Sequence, residues 1–137
     1  MFRNVVVGAS DSEGSERAFR RALDVIYASG GTLHVVSALP HKQQPPPYLP
    51  SEFRYTDAGA SGTDWLLHRL RHEAAGRDVE VETHAVLADP GPAIARVAAA
   101  SHADLVIVGS GSAHGHRRLG EVPKAVMDTA PCAVLVV

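Results

Sequence analysis

Residues 87–120 read LADPGPAIARVAAASHADLVIVGSGSAHGHRRLG and contain a helix, a strand and a loop in that order. The Ala-rich segment 92–101 is typical of a short helix with proline in its first turn. The run 105–108 is continuously apolar and mostly β-branched, which favours a strand buried on both faces of a sheet. A Gly-rich loop, 109–120, follows it and ends where the next helix begins. Such units build parallel α/β sheets.

The same alternation of strands and helices extends over the rest of the chain. The predicted strands are 5–7, 32–38, 79–87, 105–108 and 133–137, and the predicted helices are 12–28, 63–75, 92–101 and 121–129. This order, with right-handed crossovers, predicts a parallel sheet with helices on both faces. Ligands bind such sheets at the carboxyl ends of the strands, so we expect a functional site there.

The composition limits the class of protein. The 137 residues, of which 45% are hydrophobic, fit one ordinary domain, and the formal net charge of −2 gives no electrostatic case for nucleic acid. No apolar run reaches the ~18–20 residues of a membrane span, and the opening residues do not resemble a signal peptide. The single cysteine, Cys132, excludes an internal disulfide and favours a reducing compartment. We therefore expect a cytoplasmic protein without a membrane partner.

Residues 40–62 differ from the rest in composition. Five of the nine prolines lie between residues 40 and 50, and three of the seven aromatic residues lie in the same segment. A loop of this length in a compact domain is usually either functional or disordered. Two interpretations stay open: the loop closes over the predicted ligand site, or it only connects two elements.

The Gly-rich loop 109–120 is the strongest candidate for a binding site. Glycines allow the backbone to approach a ligand closely, and the N-terminus of the following helix attracts a phosphate. Ser110, Ser112, Arg117 and Arg118 would add hydrogen-bond donors. The loop lacks the Walker A pattern, because Glu121 stands where that pattern requires lysine. A phosphate site and a plain Gly-rich turn are the two alternatives.

Other reactive residues carry weaker signals. His68 and His72 are spaced as a metal pair on one helix, but no third ligand accompanies them, so a solvated helix face is favoured. His114 and His116 would bind an anion when protonated, or are ordinary loop residues. Cys132 precedes a strand and is expected to be a small core residue. We predict no metal site and no catalytic residues.

Four segments together resemble the universal stress protein family. They are VVVGASDSEGSERA at 5–18, LHVV at 33–36, LADPGPAIARVAAASHADLVIVGS at 87–110 and GEVPKAVMDTAPCAVLVV at 120–137. The resemblance covers essentially the whole chain, 1–137. It implies a five-stranded parallel sheet of order 3-2-1-4-5, as in adenine-nucleotide α-hydrolase-like folds, and a homodimer through strand 133–137. Many members of the family bind ATP, and few have a convincing catalytic activity.

The sequence departs from the nucleotide-binding pattern of this family, which is Gly, two residues, Gly, nine residues, and Gly followed by Ser or Thr. Gly109 matches the first position, but Ser112 replaces the second glycine. Only seven residues separate Ser112 from Gly120, and Glu121 replaces the final Ser or Thr. A carboxylate there would repel a phosphate and would itself satisfy part of the helix N-terminus.

The resemblance also supplies a set of candidate nucleotide contacts. Ser10 stands where many members have an aspartate, with Asp11 next to it, and Val35 lies where backbone groups meet adenine. The predicted binding residues are Ala9, Ser10, Asp11, Val35, Gly109, Ser110, Ser112, Arg117, Gly120 and Glu121. We expect a non-catalytic stress-response regulatory or interaction module with weak or absent ATP binding. The alternative is a sensor of ATP, AMP or cyclic AMP, and a nucleotide-hydrolysing enzyme is the third candidate.

Overall fold

A computed structural model describes residues 2–39, 58–111 and 119–137. Strands and helices alternate along these residues: β1 Asn4–Gly8, α1 Glu13–Ser29, β2 Thr32–Ala38, α2 Ala58–Ala75, β3 Val81–Val86, α3 Pro90–Ala100, β4 Leu105–Val108, α4 Glu121–Thr129 and β5 Ala133–Val136. The strands form one sheet of order β3-β2-β1-β4-β5, and every neighbouring pair is parallel. The predicted fold class is confirmed.

Helices cover both faces of the sheet. Val5 and Val7 of β1 pack against α1 and α2, whereas Val6 between them packs in the core that includes α3 and Val126 of α4. Successive side chains of a strand point to opposite faces. All three valines are fully buried because helices cover both of those faces. The central strands are therefore apolar on both sides, as the sequence predicts.

The direction of strand order reverses between β1 and β4. From β1 the chain crosses to β2 on one side of β1. Strand β4 is added later on the other side, so β1 and β4 are neighbours in the sheet. Val7 of β1 lies beside Ile107 of β4, and both strands end at the same edge. A crevice forms at such a point, and this is where open parallel sheets bind ligands.

Two predicted boundaries are wrong. Helix α2 begins at Ala58, so residues 58–62 are helical and do not belong to the predicted loop 40–62; the rest of that loop, 40–57, lies outside the described residues. The buried Leu66 and Leu70 hold this helix on the core, and adding a turn to an existing helix costs less than starting one. Strand β3 is shorter than predicted, because the N–H of Val79 closes the end of α2 by donating to the carbonyl of Ala74.

Strand β5 forms one edge of the sheet and is only partly covered. Val134 and Val136 pack against the core beneath α3 and α4. On the opposite face Ala133 is exposed, and Leu135 keeps 38% of its surface accessible. This edge therefore presents unpaired backbone groups beside an apolar side chain, a combination that favours pairing with another chain. None of the described helices is long and apolar enough to cross a membrane.

Candidate functional site

A cleft of about 1600 Å³ lies at the carboxyl edge of the sheet, above β1 and β4. One wall is the β1–α1 connection with the first turns of α1, and the opposite wall is the start of the loop after β4 with the first turn of α4. Helix α2 contributes Trp65 and Arg69. The cleft therefore lies at the point where strand order reverses, as predicted.

Serines organise the wall that α1 contributes. Ser12 is the N-cap of α1, and its hydroxyl accepts the N–H of Ser15 at 3.2 Å. The hydroxyl of Ser15 in turn accepts the N–H of Ser10 at 2.7 Å. Because these bonds fix the connection, the first-turn N–H groups of α1, which have no intrahelical acceptor, are held at the cleft.

The opposite wall packs backbone against backbone on α1. A Cβ placed on Gly109 would lie 2.6 Å from the carbonyl carbon of Gly14 and 2.7 Å from its oxygen. Real Cβ atoms do not approach that closely, so only glycine fits at position 109. The first glycine of the Gly-rich loop thus has a packing role that is independent of any phosphate.

The Gly-rich loop is closed at its base. Gly111 has a φ of +69°, and a Cβ on it would lie 3.1 Å from the Cα of Gly120. The N–H of Gly120 donates to the carbonyl of Ser110 at 2.8 Å, and the N–H of Ser110 donates to the carbonyl of Val137 at 2.9 Å. Both ends of the loop are therefore fixed beside the first turn of α4.

We expect Gly109→Ala to lower the free energy of unfolding by about 1–3 kcal/mol, the usual cost of overpacking. The new methyl group would press on the backbone of Gly14, which cannot rotate away as a side chain would. Urea denaturation of both proteins measures the effect. Gly76→Ala is the matched control, since a Cβ there meets its nearest atom at an ordinary 3.4 Å. Equal stability of Gly109→Ala and wild type would contradict the packing role.

The charged side chains that line the cleft are mixed in sign. Among the described residues, Asp11, Glu13 and Glu16 contribute carboxylates, and Arg17 and Arg69 contribute guanidinium groups. Arg69 is 3.4 Å from a carboxylate oxygen of Glu16, so part of its charge is already balanced. The described lining therefore offers little net positive charge to a polyphosphate.

The predicted site residues fall into three groups. Ala9, Ser10, Asp11, Gly109 and Ser110 all line the cleft. The side chain of Val35 is fully buried in the core beneath α1 and α2, and the neighbouring residues 36–38 line the cleft instead.

The remaining predicted residues belong to the Gly-rich loop or follow it directly in the chain. Gly120 packs against Gly111, and Glu121 is the exposed first residue of α4, where it makes no hydrogen bond with the described residues. Val122 and Pro123, rather than Glu121, line the cleft. Ser112 and Arg117 lie outside the described residues.

Most of the lining was not predicted from the sequence, and three of its residues matter most for the site. Arg17 and Trp65 are exposed in the cleft, and Gly14 supports Gly109. The available signal for Arg17 and Gly14 was their position in the first two turns of a helix that follows β1. Trp65 carried none, because only the packing of α2 brings it to the sheet edge.

The other candidates of the sequence remain outside the cleft. His68 and His72 are both exposed on α2, and no third ligand lies near them in the part of the chain that the structure describes. Cys132 is half-buried just before β5, and burial raises the pKa of its thiol. The thiol form is unreactive, in agreement with a packing role.

Comparison with known proteins shows the family of the chain. The model of the universal stress protein family matches residues 1–137. The chain belongs to the universal stress protein family. A relative from Staphylococcus haemolyticus, named as a universal stress protein, is 26% identical over 99% of this chain and 84% of its own length. This confirms the resemblance of the four sequence segments, and the family match names no reaction.

Solved universal stress protein structures have the same fold. A universal stress protein in complex with cyclic AMP is 28% identical, with a TM-score of 0.77 over 99% of this chain and 97% of that chain. A family member from Archaeoglobus fulgidus in complex with dAMP is 21% identical, with a TM-score of 0.74 over 98% of this chain and 96% of that chain. The second likeness is evidence for the fold alone.

Proposed function

We propose that this universal stress protein is a non-catalytic regulatory module that binds an adenine nucleotide of low charge in the cleft. The observation that carries the proposal is the mixed charge of the described lining, in which three carboxylates accompany two guanidinium groups. Cyclic AMP and AMP carry fewer negative charges than ATP, so the carboxylates of this lining repel them less strongly. The cyclic AMP complex of the relative that is 28% identical supports the same ligand class.

The cleft supplies groups of the kind that a nucleotide needs. The first turns of α1 and α4 line the cleft, and helix N-termini favour a phosphate. Arg17 is exposed there and makes no ion pair with the described residues, so its guanidinium group is available to an anion. Trp65 and the apolar residues around it offer a surface for a purine ring.

The described lining gives little support to catalysis. It contains no histidine, lysine or cysteine among the residues that the structure describes at the cleft. Ser12 caps α1, and the hydroxyl of Ser15 is occupied by the N–H of Ser10, so these two serines already have structural roles. We therefore propose that the bound nucleotide acts as a signal for a cytoplasmic dimer and is not consumed.

Trp65 offers a direct test, because it is the only tryptophan of the chain. We expect AMP and cyclic AMP to change its fluorescence saturably. Arg17→Gln should weaken AMP binding about fivefold, since an exposed ion pair contributes about 1 kcal/mol at most. Arg21→Gln is the matched control, because Arg21 lies one turn further along α1 and outside the cleft lining.

The absence of any saturable change with AMP and cyclic AMP would contradict the proposed function. An equal loss of affinity in Arg17→Gln and Arg21→Gln would contradict the role of Arg17.

A further inference from the structure

Three metal-ligating side chains meet on the sheet away from the cleft. Nδ1 of His34 on β2 lies 3.1 Å from Nε2 of His84 on β3 and 3.4 Å from a carboxylate oxygen of Glu82. One ligand atom from each of the three residues lies within 4.8 Å of the other two.

Strand pairing explains why these residues meet. His34 of β2 is the register partner of Glu82 of β3, and His84 follows two residues later. Residues two apart on a strand share a face, so Glu82 and His84 both stand beside His34. The group lies on the α3 side of the sheet, the side to which Val36 also points.

The spacing matches tetrahedral coordination. Zinc bonds to histidine nitrogen and carboxylate oxygen are about 2.0–2.2 Å long, which places neighbouring ligand atoms of a tetrahedron roughly 3.3–3.5 Å apart. Of the two separations, 3.4 Å lies within this range and 3.1 Å lies just below it. The side chain of Glu82 is 57% exposed, so its carboxylate is free to complete the geometry by rotation.

A hydrogen bond orients the central histidine. Nε2 of His34 lies 3.2 Å from Oδ1 of Asn4 on β1, and an amide oxygen accepts only a ring N–H. The Nδ1 atom then carries the lone pair, which faces His84 and Glu82. Histidines that bind metals usually donate their other ring N–H in this way.

The group lies beside a solvent-accessible opening. His34 itself is buried, with only 6% of its surface exposed. The partly exposed Glu82 marks the side of the group that is open to water, so a solvent molecule is available as the fourth ligand of a tetrahedron.

We propose that His34, Glu82 and His84 form a zinc site, with water as the fourth ligand and Asn4 as the positioning residue. Two imidazoles and one carboxylate suit Zn²⁺ better than Mg²⁺ or Ca²⁺, which prefer oxygen ligands. Bound zinc would join the edge strand β3 to β2 through side chains as well as backbone. The family assignment and the nucleotide proposal play no part in this inference.

The test is zinc binding by the full chain, prepared without a histidine tag and freed of metal. Competition with a chromophoric chelator should show one Zn²⁺ per chain, and Mg²⁺ should not compete. Co²⁺ should give the strong visible absorption of a tetrahedral site. Glu82→Gln and His84→Gln should lose this absorption and most of the zinc affinity, and Asn4→Ala should weaken zinc binding by about 10–100-fold.

Control variants separate this site from the two pairs of closely spaced histidines elsewhere in the chain. The double variants His68→Gln/His72→Gln and His114→Gln/His116→Gln should bind zinc as the wild type does. Circular dichroism verifies that each variant is folded. Failure to bind zinc, or unchanged zinc affinity in folded His84→Gln, would overturn the proposal and would show that His34 and His84 form only a hydrogen-bonded pair.

Discussion

Glu121→Ser is expected to strengthen ATP binding at least tenfold. Glu121 is the exposed first residue of α4, at the helix end that attracts a phosphate, and it adjoins the lining residues Val122 and Pro123 without lining the cleft itself. Two like unit charges ~4 Å apart repel by roughly 4 kcal/mol at an effective dielectric constant of ~20. This is on the order of a thousandfold in affinity, and rotation of the exposed side chain and screening by salt reduce it.

The same substitution should have a small cost in stability. An acidic residue in the first turn of a helix contributes only about 0.3–1 kcal/mol. The repulsion between Glu121 and a phosphate is therefore the larger effect when a nucleotide binds. When the cleft is empty, the favourable interaction of the carboxylate with the helix N-terminus stabilises the fold slightly. Thermal unfolding should show a slight decrease in Tm for Glu121→Ser.

Calorimetric titration with ATP compares the variants. Glu121→Gln removes the charge while keeping the length of the side chain, and it should give most of the gain. Glu80→Ser is the distant control, because Glu80 is exposed next to β3 at the opposite edge of the sheet. The hypothesis is wrong if the wild type binds ATP at low micromolar concentration and Glu121→Ser binds it no more tightly.

Leu135→Asp should convert a dimer into a monomer. We propose that β5 pairs with the same strand of a second chain, because Leu135 is exposed on an unpaired edge. Fully burying an exposed leucine contributes about 1.5–3 kcal/mol. Only the exposed 38% of Leu135 is newly buried, and a two-fold axis buries it twice, so the gain is roughly 1–2 kcal/mol. The dimer dissociation constant should therefore rise by about 5–30-fold from the lost burial, and the two new carboxylates would raise it further by repulsion.

Sedimentation velocity at micromolar concentration measures this change. Leu87→Asp is the matched control, because Leu87 is 47% exposed after β3, at the other edge of the sheet. It should leave the dimer intact. A wild-type monomer at this concentration would contradict the proposed interface.

The sheet could be predicted from the sequence because its strands are short, apolar and separated by helices. The run Leu105–Val108 is fully apolar, and it lies in the sheet centre, where both faces are covered. Boundaries were less predictable, because they depend on packing. Helix α2 extends through 58–62, whose two glycines disfavour a helix locally, because its later residues hold it on the core.

The candidate site was only partly predictable. The sequence indicates that the backbone at Gly109 is approached closely by another group. The group is the backbone of Gly14, which is 95 residues away in the chain and is brought to Gly109 by the fold. His34 and His84 were missed for the same reason, since parallel pairing joins residues 50 apart. The spacing of Glu82 and His84 on one strand face was the only local signal.

The central claim is that the cleft prefers an adenine nucleotide of low charge. Calorimetric titration of the wild-type chain with cyclic AMP, AMP and ATP under identical salt conditions tests it most directly. We predict saturable binding of cyclic AMP or AMP and weaker or undetectable binding of ATP. Binding of ATP more tightly than both of the others, or binding of none of the three, would contradict the account.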